Sequence, residues 1–141
     1  MKLQRDLREF IELLNSHDVE YLVVGGYAVA FHGFPRFTGD IDFFIQPSES
    51  NADRMLAVLP DFGFGSVGLS REDFTTPGRI TQLGQPPNRI DILTGISGVS
   101  FEEAASGRVP MELDGVPMFV IGRRELIANK RLSPGAARGE G

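Results

Sequence analysis

In the stretch GDIDFFIQ, Gly39 to Gln46, two carboxylates stand two residues apart in a run otherwise built of Ile and Phe. Side chains alternate across a strand, so Asp40 and Asp42 would share one face, about 6–7 Å apart along it, while Ile41, Phe43 and Ile45 share the other. Phe44 makes the Asp face apolar one step later, which places this strand in the interior of a sheet. Two like charges in a partly desolvated site raise at least one pKa unless cations neutralise them. A divalent metal is one such cation: magnesium takes oxygen ligands and is commonly held by one or two carboxylates together with substrate phosphates. The bland alternative makes Asp40 a turn residue after Gly39 and Asp42 the partner of an arginine.

Two further features bear on that choice. NRIDILTG carries a single acid, Asp91, inside a second apolar strand, where a buried carboxylate calls for a cation or a hydrogen-bonded partner; Arg89 and Arg79 are the ordinary candidates. Gly25-Gly26 ends one apolar run and opens an Ala-rich one. In such a junction backbone N–H groups and the helix dipole can receive a phosphate, and the missing Cβ lets a polyphosphate approach. A turn with no ligand would use the same two glycines.

The elements that must position these residues emerge from periodicity. Leu3, Leu7, Phe10, Ile11 and Leu14 fall at helical spacing, predicting an amphipathic helix over residues 2–16. EYLVVGG reads as a buried strand stopping at a tight turn, and Tyr27 to Gly33 as a short helix. Asp40 to Ile45 is the acid-bearing strand, followed by a helix that Ser48 caps and that runs to about Leu59. Short strands are expected over Phe64 to Leu69, Arg79 to Leu83 and Arg89 to Leu93, with FEEAASG a short helix. MELDGVPMFVIG predicts a hairpin turning at Asp114-Gly115, and RRELIANKRL a last helix. Residues 133–141, SPGAARGEG, read as a disordered tail after a single domain of residues 1–132.

Composition narrows the function classes. At 141 residues the chain suits one core, and 41% hydrophobic with 23% charged residues describes a soluble domain without a membrane span. The charged N-terminus MKLQRDLREF is not a secretory signal, so cytoplasm is the expected location. With no cysteine, disulfides and thiolate metal sites are excluded. A net charge of −5 argues against binding nucleic acid through a broad basic face, leaving only a modest cluster of Arg123, Arg124, Lys130 and Arg131. His17 and His32 are expected to be structural, since two isolated histidines make no zinc site.

Taken together, VVGGYAVAFHGFPRFTGDIDFFI followed by NRIDIL resembles the nucleotidyltransferase superfamily of the DNA polymerase β type: a glycine pair, a DxD strand soon after, and a third Asp on a later strand. GGYAVAFHG, PRFTGDID and ELIANKR resemble, more narrowly, small bacterial AbiEii-like or MNT-like nucleotidyltransferases, some of which belong to toxin–antitoxin pairs. The resemblance spans about residues 5–132 and implies an α/β (α+β) nucleotidyltransferase fold, a mixed twisted sheet flanked by helices. It further implies that Gly25 and Gly26 hold the triphosphate of an incoming NTP and that Asp40 and Asp42 ligate two ions, Mg2+ or Mn2+. Asp91 would share the ion nearer the nucleophile and help deprotonate the acceptor hydroxyl. Arg36 and Thr38, in the recurring PR-x-T stretch, would reach phosphate or ribose, and Lys130 on the last helix would meet the nucleotide. The implied acceptor is RNA, such as tRNA, or protein, and a cognate toxin or antitoxin is an expected partner. In the resembling group a charged helix comes after the Asn-Lys-Arg stretch, where this chain has SPGAARGEG. The competing expectation is a noncatalytic module of the same fold that binds a partner protein.

Overall fold

The structure, a computed structural model, describes residues 5–33, 40–63, 68–84 and 89–132, with residues 131 and 132 described by backbone alone. Among the described residues six strands form one mixed sheet: β1 (Tyr21–Val24), β2 (Ile41–Ile45), β3 (Ile80–Leu83), β4 (Ile90–Leu93), β5 (Val109–Leu113) and β6 (Val116–Val120), in the order β3-β4-β2-β1-β6-β5. The helices are α1 (Arg5–Ser16), α2 (Gly25–Phe31), α3 (Glu49–Asp61), α4 (Arg71–Thr75), α5 (Phe101–Ser106) and α6 (Arg123–Leu132).

The acid-bearing strand is interior, as its two-sided apolar pattern demands: β2 runs antiparallel to β1 and parallel to β4. Its odd-numbered residues Ile41, Phe43 and Ile45 are fully buried. Against that face α1 sets the stripe Leu7, Phe10, Ile11 and Leu14, and Phe10 meets Phe43 with ring centroids 5.4 Å apart. On the other face Phe44 packs edge-on against Phe101 of α5 at 5.1 Å. Burying each such side chain stabilises the fold by about 1.5–3 kcal/mol, so the strand is held firmly from both sides.

One buried polar group locks the strand ends together. Asn51, with no accessible surface, accepts the Glu20 N–H at 2.7 Å and donates to the carbonyls of Glu20 and Gln46 at 3.0 Å each. The side chain thus ties the start of β1, the end of β2 and the first turn of α3 together. Ser48 caps α3, accepting the Asn51 N–H at 3.2 Å. Asp114 and Gly115 both have positive φ, 54° and 81°, the geometry of the tight hairpin expected between β5 and β6.

Several boundaries differ from the sequence expectation. The helix expected from Tyr27 begins at Gly25, so the glycine pair is its first turn and not a turn before it. α3 extends through Pro60 to Asp61, beyond the expected end at Leu59. No strand spans Gly68 and Leu69, and residues 64–67 lie outside the described residues. Instead, the short helix α4 forms just after, its start fixed by Ser70 N–H donating to the Asp73 carboxylate at 2.8 Å. The tail 133–141 lies outside the described residues. Among the described residues no helix is long and apolar enough to cross a membrane.

Candidate active site

The register of three strands builds the site. β1 pairs Val24 with Asp42, and β4 pairs Asp91 with the same residue from the other side. Parallel pairing in register puts both carboxylates on one face at one end of the sheet, where β1 ends and α2 begins. The Asp42 and Asp91 side chains stand within hydrogen-bonding reach of each other. Burial, the Asp91 contact and the charges of Asp91 and Asp40 push the Asp42 carboxyl up to about 7, opposed by the Arg89 guanidinium.

Asp40 stands one step before β2. Arg89 joins it to the pair: Nη2 donates to Asp40 Oδ2 at 2.8 Å, and Nε donates to Asp91 Oδ1 at 3.1 Å. Asp91 therefore takes the ordinary ion pair that RIDIL allowed, with Arg89 and not Arg79, whose nearest acid is Asp73 at 3.4 Å. Asp40 is also close enough to raise the Tyr27 hydroxyl, after burial of that ring, the larger cause.

Gly25 has φ +69° and lies against Asp42: a Cβ there would overlap Asp42 Oδ2 and stand 3.2 Å from its Cγ. The glycine is required by two constraints at once, a left-handed backbone and close approach of a carboxylate. Gly26 comes next in the first turn of α2. Lys130 lies on α6, which packs against α2. Arg36 and Thr38 lie outside the described residues. The histidines are structural contacts: His32 Nε2 meets the Ile121 carbonyl at 2.7 Å and His17 Nε2 meets Asp61 at 2.9 Å.

The donor set suits a hard cation. Two carboxylates, Asp42 and Asp91, already converge in register on neighbouring strands, the kind of oxygen donors such an ion takes. The third acid, Asp40, is drawn to the guanidinium. Among the described residues no group of three or more His, Asp or Glu side chains stands ready as a metal cage. A bound ion would thus rest on Asp42 and Asp91 first, with Asp40 joining from its contact with Arg89. Sequence reasoning named the three acids and treated Arg89 only as a partner for Asp91. Its reach to Asp40 depends on the register of β2 and β4 and has no local signal, although the spacing of Arg89 and Asp91 already set them on one face.

The mixed six-stranded sheet and its flanking helices make a single-domain α+β fold of nucleotidyltransferase-like type. The chain is similar in fold to a Thermotoga maritima protein designated a candidate nucleotidyltransferase, known from a crystal structure, with a TM-score of 0.59 and 16% identity over 87% of this chain and 79% of that one. No protein-family model matches the sequence, and no curated protein matches it significantly.

Proposed function

We propose that the protein is a metal-dependent nucleotidyltransferase, moving an NMP from an NTP to a hydroxyl of RNA, such as tRNA, or of a protein. The observation that carries this reading is the convergence of Asp42 and Asp91, in register on neighbouring strands, beside the glycine pair that opens α2. In the reaction the acceptor oxygen attacks the α-phosphorus in line, the bond from phosphorus to the oxygen bridging the β-phosphate breaks, and pyrophosphate leaves. Asp91 takes the proton of the attacking hydroxyl. The backbone of Gly25 and Gly26 at the start of α2 is proposed to meet the triphosphate, although the space a Cβ of Gly25 would occupy is taken by Asp42, and Arg36, Thr38 and Lys130 are the side chains proposed to contact it. Mg2+ or Mn2+, two ions held by Asp40, Asp42 and Asp91, would neutralise charge on the attacking and leaving oxygens.

A toxin–antitoxin role, in which the acceptor or a cognate protein is the partner, is the narrower form of this proposal. The second reading, a noncatalytic partner-binding module, draws on a specific observation: Arg89 bridges two of the three acids, giving Asp40 and Asp91 a cationic partner from the chain itself. Equilibrium dialysis with each NTP separates the two. The enzymatic reading predicts nucleotide binding that requires Mg2+ or Mn2+ and is weakened by Asp42→Asn. Binding of no NTP at millimolar concentration with either metal would leave the module as the better account.

A further inference from the structure

Arg89 holds its place between two strands by backbone as well as side chain. Its carbonyl accepts the Ile41 N–H at 3.3 Å, directly between Asp40 and Asp42 in the chain. From there the guanidinium spreads its fork across acids of two different strands: Nη2 on Asp40 Oδ2 at 2.8 Å and Nε on Asp91 Oδ1 at 3.1 Å, with Nη2 also 3.5 Å from Asp91 Oδ2. An ion at the acid cluster would draw on the same carboxylates. A planar five-donor cation matches carboxylates well and never deprotonates, so it is a durable substitute for a metal. It is also a fixed positive charge that repels one. Arg89 is 30% exposed in its side chain, which gives the guanidinium an open side toward which to turn, whereas Asp91 is only 13% exposed.

We propose that Arg89 is a resident counter-ion that competes with a divalent cation for Asp40 and Asp91, so that loading the site requires the guanidinium to release at least Asp40. The inference rests on the reading of the three acids as a metal site. Without an ion, Arg89 offsets the repulsion among the acids and holds Asp40 on its own Nη2. As an ion enters, that compensation becomes redundant. Arg89 is therefore a positioning residue whose removal should favour the metal; a residue that merely braced Asp91 for coordination would, on removal, weaken metal binding.

The test is Mn2+ binding to the full chain without nucleotide, monitored by loss of the free-ion signal in electron paramagnetic resonance. Arg89→Gln is expected to bind Mn2+ at least about fivefold more tightly than wild type, the lower end of typical coupling between two binding events. Arg89→Lys, which keeps the charge and loses the fork, is expected to fall between them and serves alone if Arg89→Gln does not fold. Tighter binding in the variants, or binding only in the variants, supports the proposal. Wild type that binds Mn2+ with variants equal to it or weaker overturns the proposal and leaves the metal site standing. Absence of binding in all three chains overturns both.

Discussion

Asp42 is ionised at the expense of stability, and replacing it with asparagine tests the electrostatics of the site directly. In the folded protein its carboxyl is raised from 3.8 to about 7, chiefly by burial and by Asp91. Between those values the native state holds a proton that the unfolded chain has released, so stability falls as pH rises through roughly 4 to 7 and the loss is complete above that window. The full shift corresponds to about 4 kcal/mol, and solvent screening at a side chain only partly buried reduces it to about 2 kcal/mol. The amide of Asp42→Asn can still donate to Asp91 but carries no charge. With EDTA present, the variant should therefore match wild type near pH 4 and exceed it by about 2 kcal/mol at pH 8, a urea midpoint about 1 M higher at a typical m-value. Saturating Mg2+ should narrow or reverse the gap, because the ion stabilises only a chain that binds it. Urea melts at the two pH values decide the matter. An equal difference at pH 4 and pH 8, or a variant less stable than wild type at pH 8 alone, would refute this account of Asp42.

Two further perturbations probe how the site is held. Gly25→Ala should destabilise the fold by about 1–3 kcal/mol through its positive φ and by crowding Asp42, and Asp42→Ala in the same chain should recover part of the loss; strictly additive melts would show that the two residues do not meet. Asn51→Leu should cost about 3–5 kcal/mol, since it strands the Glu20 N–H and two carbonyls without partners. Hydrogen exchange at the Glu20 amide should accelerate with it, and unchanged protection there would contradict the assignment.

Much of the acid strand was legible because a strand has a period of two: Ile41, Phe43 and Ile45 on one face, with Asp42 and Phe44 on the other, are where alternation puts them. The amphipathic stripe of α1 and the Asp114-Gly115 hairpin were equally plain, since each depends on residues close in sequence. The pairing of Asp42 with Asp91 was not, because register between parallel strands is set by everything that packs in between. Asp91 could be named as a lone buried acid, but not placed opposite Asp42. The same limit hid the span of Arg89 from Asp91 to Asp40. α4 escaped notice for a local reason: five residues are too few to display a helical period, and only the Ser70–Asp73 capping box marks it. Gly25 offers room for a phosphate in the sequence alone, and the overlap that a Cβ there would make with Asp42 adds a requirement that no inspection of neighbouring residues could show.

The central claim, that these acids carry nucleotidyl transfer, is tested most directly by incubating the protein with each of the four α-labelled NTPs, Mg2+ or Mn2+, and either a tRNA pool or a cell extract. The account predicts label transferred to an RNA or protein acceptor by wild type with at least one of the nucleotides, and no transfer by Asp42→Asn or in EDTA. Label transferred equally by Asp42→Asn, or by no combination of nucleotide, metal and acceptor, would contradict it.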